Sequence, residues 1–209
     1  SVLMQKTSFP FEIVISDDCS TDGTREIVQE YHEKHPDKIR LILSDKNLWN
    51  FRGNGHGSAI FLELFEAGYR SKYNALLEGD DYWTREDKLK IQVDFLESNP
   101  EYFGCYHIVD ILKNEKLKHN TKAPIMARAQ ATIMQNVSDT NPDFCKCLFS
   151  LNIVGDVLIT TIGNLNGGFY QLDKLDGAAV YRLHNQGIWS SIDAYQKMEK
   201  TINNNLSLS

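Results

Sequence analysis

The chain has 209 residues, a length that suits one domain with a sizeable hydrophobic core. Its 28 acidic and 22 basic residues leave a net charge of −6, which argues against a broad nucleic-acid-binding surface. No apolar run approaches the ~20 residues of a membrane span, and no signal peptide is expected.

Ser1 to Pro10 read as the end of something earlier, with Val2-Leu3-Met4 as the last turn of a helix. Phe11-Glu12-Ile13-Val14-Ile15 comes next as a short apolar run, the pattern of a strand buried on both faces. It discharges into Ser16-Asp17-Asp18-Cys19-Ser20-Thr21-Asp22-Gly23-Thr24, dense in side chains that cap helices and bind their own backbone. The next helix presents Ile27, Val28 and Tyr31 on one face and ends by Pro36. Ile39 to Leu43 is the second strand. This strand–helix–strand rhythm predicts an α/β fold with a parallel sheet and right-handed crossovers.

Asn47 to Gly57 alternates Gly53, Gly55 and Gly57. Its sixth position is Ser58 and no strand directly precedes it, so it is not a dinucleotide fingerprint. A helix is expected from about Ser58 to Tyr69, with Ile60, Leu64 and Phe65 on its apolar face.

Tyr73-Asn74-Ala75-Leu76-Leu77 is the next strand. It runs into Glu78-Gly79-Asp80-Asp81-Tyr82-Trp83, the turn around which the rest of the chain is organised. Two adjacent carboxylates repel each other unless a cation or strong donors sit between them, which points to a hard divalent metal such as Mg²⁺ or Mn²⁺. An ordinary acidic turn is the plainer alternative. The earlier Asp17-Asp18 turn also ends a strand, so both acid pairs are expected at one sheet edge, where open α/β sheets bind ligands. For Asp18 the plainer alternative is a helix cap.

Thr84-Arg85-Glu86-Asp87 has the form of a capping box, and Leu89, Val93 and Leu96 mark the core face of a helix that stops before Pro100. Tyr102 to Val109 reads as a strand. Asp110 to Lys122, rich in lysine and asparagine, reads as an exposed connection with a solvated lysine face. A weak helix is expected around Ala127–Gln135 and another around Phe144–Phe149.

Val154-Gly155-Asp156-Val157-Leu158-Ile159 enters a further helix, with Asp156 a candidate N-cap. Gly167-Gly168 marks a turn, Ala178 to Leu183 a late strand, His184 to Ser191 a loop, and the C-terminus a frayed helix. Cys19, Cys105, Cys145 and Cys147 lack CxxC spacing and disulfide density, and read as reduced thiols of a cytosolic protein. The Asn136-Val137-Ser138 and Asn205-Leu206-Ser207 sequons are then accidental.

Four segments together resemble the family 2 glycosyltransferases of GT-A fold. They are Phe11 to Thr24, Ala75 to Trp83, Gly155-Asp156, and Val180-Tyr181-Arg182-Leu183-His184 with Ser190 beyond. The resemblance implies a Rossmann-like, mostly parallel sheet flanked by helices, in a single domain over 1–209. Residues 1–110 would form the nucleotide-sugar-binding half, 111–191 the acceptor-side half and 192–209 a tail. The family's first strand is expected to be missing, and its arginine near His56-Gly57-Ser58 is absent. Residues 136–150 match the acceptor region poorly.

By that resemblance Asp18 hydrogen-bonds the nucleotide base. Asp80 and Asp81 form a DxD-like site for ribose and diphosphate, with Asp81 on the metal (Mn²⁺ or Mg²⁺), and Asp156 is the catalytic base. The donor is a nucleoside diphosphate sugar, most often a UDP-sugar. The acceptor is a glycan or lipid-linked carrier in cell-surface polysaccharide synthesis, placing the enzyme in the cytoplasm or peripherally at the inner membrane face.

The chemistry fits the residues independently. A leaving diphosphate needs its charge neutralised, and a carboxylate across the sugar must deprotonate the acceptor hydroxyl, which gives inversion by analogy with inverting hydrolases. A nucleotidyltransferase and a non-catalytic nucleotide- or glycan-binding member of the same fold are the competing readings.

Overall fold

A computed structural model describes residues 1–47, 71–120, 132–135 and 155–184. Strand β1 (Ile13–Asp17) is rich in β-branched residues and pairs in parallel with β2 (Ile39–Leu43), from Ile13 opposite Ile39 to Asp17 opposite Leu43. Helix α1 (Thr24–Lys34) makes the crossover between them, entered through Gly23 at φ +90°, a conformation that costs glycine little. The strand–helix–strand expectation is met here, with β1 displaced two residues towards the C-terminus.

Its burial is not as the periodicity predicts. Ile27 and Tyr31 are 56% and 47% exposed, no residue of α1 is buried, and β1 is only partly buried up to Asp17. Amphipathic spacing reports which residues could share a buried face, not whether a neighbour covers it.

The remaining described strands form two four-stranded sheets. One runs β4 (Tyr82–Trp83), β10 (Ala179–Leu183), β6 (Asp110–Lys113), β7 (Lys116–Lys118). The other runs β3 (Tyr73–Ala75), β8 (Ile133–Gln135), β5 (Gly104–Tyr106), β9 (Phe169–Gln171). Among the described ladders three are parallel (β1–β2, β10–β6, β5–β9) and four antiparallel (β10–β4, β3–β8, β5–β8, β6–β7). The architecture is α/β, but the sheets are mixed rather than mostly parallel.

Three expectations are corrected. Ile133-Met134-Gln135 is a strand, not the end of a helix: β8 is hydrogen-bonded on both sides, and Ile133 and Met134 are fully buried, a tertiary demand that overrides weak propensity. The lysine-rich stretch after Val109 is a hairpin. Its tip, Asn114-Glu115, has φ of 48° and 62° at both positions, the conformation that two-residue hairpin turns require. Its second strand is exposed throughout, as a solvated lysine face should be.

The capping box also fails to form. Helix α2 (Lys88–Ser98) is preceded by Asp87, which makes no side-chain cap bond, and the Thr84 hydroxyl donates instead to the Gly177 carbonyl at 2.9 Å. The cap comes from far away: buried Gln5 accepts the Leu89 N–H through Oε1 at 3.0 Å and donates through Nε2 to the Arg85 carbonyl. The first residues, with a short 3₁₀ turn at Val2–Met4, therefore dock on the start of α2.

Trp83, Leu89, Leu96, Cys105, Val109, Ile133, Leu172 and Leu175 join β4, α2, β5 and β8 into the hydrophobic core. Helix α3 (Gly155–Leu165) forms where a helix was expected, and Gly167-Gly168 turns the chain at φ +104° and +76° into β9. The expected helices at 58–69 and 144–149, the loop at 48–57, and everything after 184 lie outside the described residues.

Candidate active site

The Glu78–Asp81 turn joins β3 to β4 and is closed by the Asp81 N–H donating to the Glu78 carbonyl at 3.1 Å. Strand β4 then lies antiparallel to the start of β10, Tyr82 opposite Val180 and Trp83 opposite Ala179. That pairing carries the far end of β10 past the turn. The Arg182 N–H donates to Asp81 Oδ1 at 2.7 Å, and His184 Nε2 lies 2.8 Å from Asp80 Oδ2. Asp81 is 7% exposed, whereas Asp80, Glu78 and His184 are exposed.

Carboxylate oxygens of Glu78, Asp80 and Asp81 lie within 4.8 Å of one another. The three are thus close enough to share one cation, and an all-oxygen set suits a hard one. The Arg182 guanidinium rests over the Tyr82 ring, its Cζ 5.0 Å from the centroid. Asp80, Arg182 and His184 form one side of a cleft of about 490 Å³, and the Asn114-Glu115 hairpin tip with Leu112 forms another.

The Asp17-Asp18 turn is built differently. Asp17 has a side chain only 1% exposed, and its Oδ2 is 2.7 Å from the Arg25 guanidinium. Burial alone would raise this carboxyl, but the Ser20 N–H and Arg25 outweigh it and hold Asp17 below the usual carboxylate range. Arg25 also donates to the Ser44 carbonyl after β2. Cys19 takes φ 60°, and the Asp18 carbonyl accepts from Asn47 Nδ2 at 3.1 Å. Asp17 is therefore a structural clamp, and half-buried Asp18 turns at the strand end.

The structure thus brings Asp80 and Asp81 together with two groups that sequence reasoning left out of the site, Glu78 and His184. Glu78 had a signal in its spacing, because an acid two residues before Asp80 falls in the same turn. His184 closes one of the segments that carry the family resemblance, but no role was given to it there. The expectation that both acid turns end strands of one sheet is not met among the described residues: β1 and β2 form a separate two-stranded sheet. Asp156 stands in the first turn of α3, and its side chain lies outside the described residues.

The family model described as Glycosyl transferase family 2 matches residues 1–155. Rv1520, an uncharacterized protein of Mycobacterium tuberculosis, is 33% identical over 197 residues, 90% of this chain and 54% of its own length. TuaG of Bacillus subtilis, named for a glycosyltransferase of teichuronic acid biosynthesis, is 36% identical over 86 residues, 41% of this chain and 30% of its own. The uncharacterized glycosyltransferase alr2836 of Nostoc is 33% identical over 141 residues, 64% of this chain and 39% of its own length. The chain spans about half the length of the mycobacterial relative. No helix among the described residues is long and apolar enough to cross a membrane.

Proposed function

The chain belongs to glycosyl transferase family 2 and so has the GT-A fold; from that premise we propose that it transfers a sugar, with inversion, from a nucleoside diphosphate sugar to a glycan or lipid-linked acceptor. The observation that carries this reading is the convergence of Glu78, Asp80 and Asp81 in one turn, faced by His184 and held by the Arg182 main chain beside an open cleft.

The three carboxylates, with the His184 imidazole beside them, are the groups that would hold Mn²⁺ or Mg²⁺. Such a cation, when bound, neutralises charge on the departing diphosphate. Asp81 is the principal ligand, its carboxylate fixed in orientation by the Arg182 N–H. Asp80 serves the ribose and the metal. Arg182, stacked on Tyr82, brings a second positive charge to the cleft wall. Asp18, at the end of β1, accepts a hydrogen bond from the nucleotide base. Asp156 takes the proton from the attacking acceptor hydroxyl, because an acid committed to metal is a poor base.

A UDP-sugar is the donor favoured by the resemblance, and the name of TuaG supports an acceptor in cell-surface polysaccharide synthesis. The reaction then takes place in the cytoplasm, with peripheral attachment to the inner membrane face where the acceptor is lipid-linked. The test is transfer of isotope-labelled sugar from UDP-sugars with and without Mn²⁺, repeated with Asp156→Asn. Loss of the base should lower kcat by about 10²–10⁴-fold with little change in donor binding. Near-normal transfer by Asp156→Asn would remove it as the base, and absence of transfer from every nucleotide sugar would leave a binding role.

A further inference from the structure

Lys88, the first residue of α2, is 0% exposed. Its ammonium donates to Gln92 Oε1 at 2.7 Å, one helical turn on, and lies 4.3 Å from the centroid of the Trp83 indole. None of the ion pairs among the described residues includes it. Among the described residues the titratable groups that interact with it are the Cys105 thiol and the His107 imidazole, with Arg85 near His107.

Neither of the first two supplies a counter-charge. Burial pushes Cys105 up to about 12 and His107 down to about 4, so both are neutral, and burial pulls Lys88 itself down to about 7. A buried ammonium without a carboxylate is costly, and a methionine of similar length would avoid that cost. What the lysine has and a methionine lacks is direction: a cation over an indole face, in a dry site, at the strong end of such contacts.

The ring it holds matters because of where Trp83 stands. Trp83 is two residues past Asp81 and is half of the two-residue strand β4. Two ladder pairs align β4 with β10, extended by the Thr84 N–H on the Ala178 carbonyl at 3.0 Å and the Thr84 hydroxyl on the Gly177 carbonyl at 2.9 Å, with Arg182 over the Tyr82 ring. That alignment decides whether Arg182 meets Asp81 and His184 meets Asp80. Gln92 continues the brace, donating to the Cys105 carbonyl of β5 at 3.3 Å.

We propose that Lys88 is a positioning residue for the acid turn, its ammonium holding the Trp83 indole and thereby the register of β4 that presents Asp80 and Asp81 to β10. The proposal rests on the reading of that turn as the metal and diphosphate site.

Lys88→Met, compared at pH 6 where the lysine is protonated, keeps the volume and removes the cation, and the melting temperature serves as the control that the fold persists. Two further readouts report on the turn. Hydrogen exchange of the Gly79–Trp83 amides should quicken by about tenfold while exchange in the middle of α2 and in β5 is unchanged. Affinity for Mn²⁺ alone, titrated by its electron paramagnetic resonance signal, should fall by a similar factor. Trp83→Phe, which keeps a ring with a weaker face, should do the same less strongly, and Lys88→Met should add little on top of it. The inference is overturned if exchange at Gly79–Trp83 is unchanged in either variant, or rises equally across α2 and β5. A wild-type protein that does not bind Mn²⁺ would sink the metal reading instead, and the exchange result would still decide the role of Lys88.

Discussion

Two turns of this protein begin from almost the same sequence and end in different chemistry. Asp17-Asp18 and Asp80-Asp81 each pair adjacent acids after a short apolar run. At the first, the partly exposed Arg25 side chain, from the start of α1, reaches back to neutralise the buried Asp17. At the second, the partners of the acids are a main-chain N–H and an imidazole, while the nearby arginine lies over Tyr82 instead. A buried carboxylate already paired with a guanidinium has little left to offer a cation; a cluster held by backbone and histidine keeps its charge available. What distinguishes the two turns is therefore the cation that reaches the first, not the acids.

The largest effect that would test this contrast is on metal. Asp81→Asn keeps the acceptor for the Arg182 N–H and removes only the charge, so the fold should persist while Mn²⁺ affinity falls by about 100-fold or more. Calorimetric titration of Mn²⁺ with UDP reads it. Equal affinity in mutant and wild type would end the metal assignment for this turn.

Asp17→Asn should do the opposite, leaving Mn²⁺ affinity alone and lowering Tm by several degrees, about 4–8 °C. The pH dependence has a definite sign. Asp17 titrates below its unfolded value because Ser20 and Arg25 offset its burial, so its stabilisation is complete above about pH 4 and is lost as pH falls through the lowered folded value. The gap in Tm between wild type and Asp17→Asn should thus be full at pH 6–7 and close under more acid conditions. A gap that widened on acidification would contradict the clamp.

Asp18→Ala sharpens the comparison within the first turn, since Asp18 is the acid proposed to meet the nucleotide base. Uridine nucleotide affinity without metal should drop roughly tenfold, the loss of one charge-assisted hydrogen bond. Normal binding with early melting would make Asp18 a cap alone. At the small end, Lys6→Ala breaks an exposed pair with Glu86 and should move Tm by less than about 2 °C. A larger shift would mean that the docked N-terminal segment depends on that pair as well as on Gln5.

Much of the framework was legible because its causes are local. Ile39–Leu43, the start of α3 at Gly155 and the Gly167-Gly168 turn all fall where pattern and turn chemistry put them. So did the position of the acid turn after β3, although Tyr82 and Trp83, read as part of that turn, form strand β4. The failures share one form. Thr84 has the chemistry of a cap, yet its hydroxyl serves Gly177, and the helix is capped by Gln5 from more than eighty residues away. Ile27 and Tyr31 have the spacing of a core face and lie largely exposed. Ile133 to Gln135 lean weakly towards helix and become a central strand.

By itself, then, the sequence determined where carboxylates gather at strand ends, where glycines turn the chain and which windows are periodic, because each of these depends on residues a few positions apart. Only the tertiary structure decided that Arg25 silences Asp17, that Glu78 and His184 join Asp80 and Asp81, and that Lys88 is buried over Trp83. The physical reason is that charge neutralisation and burial are set by which distant side chain arrives within about 3–4 Å, and two stretches with the same local chemistry carry no record of that arrival.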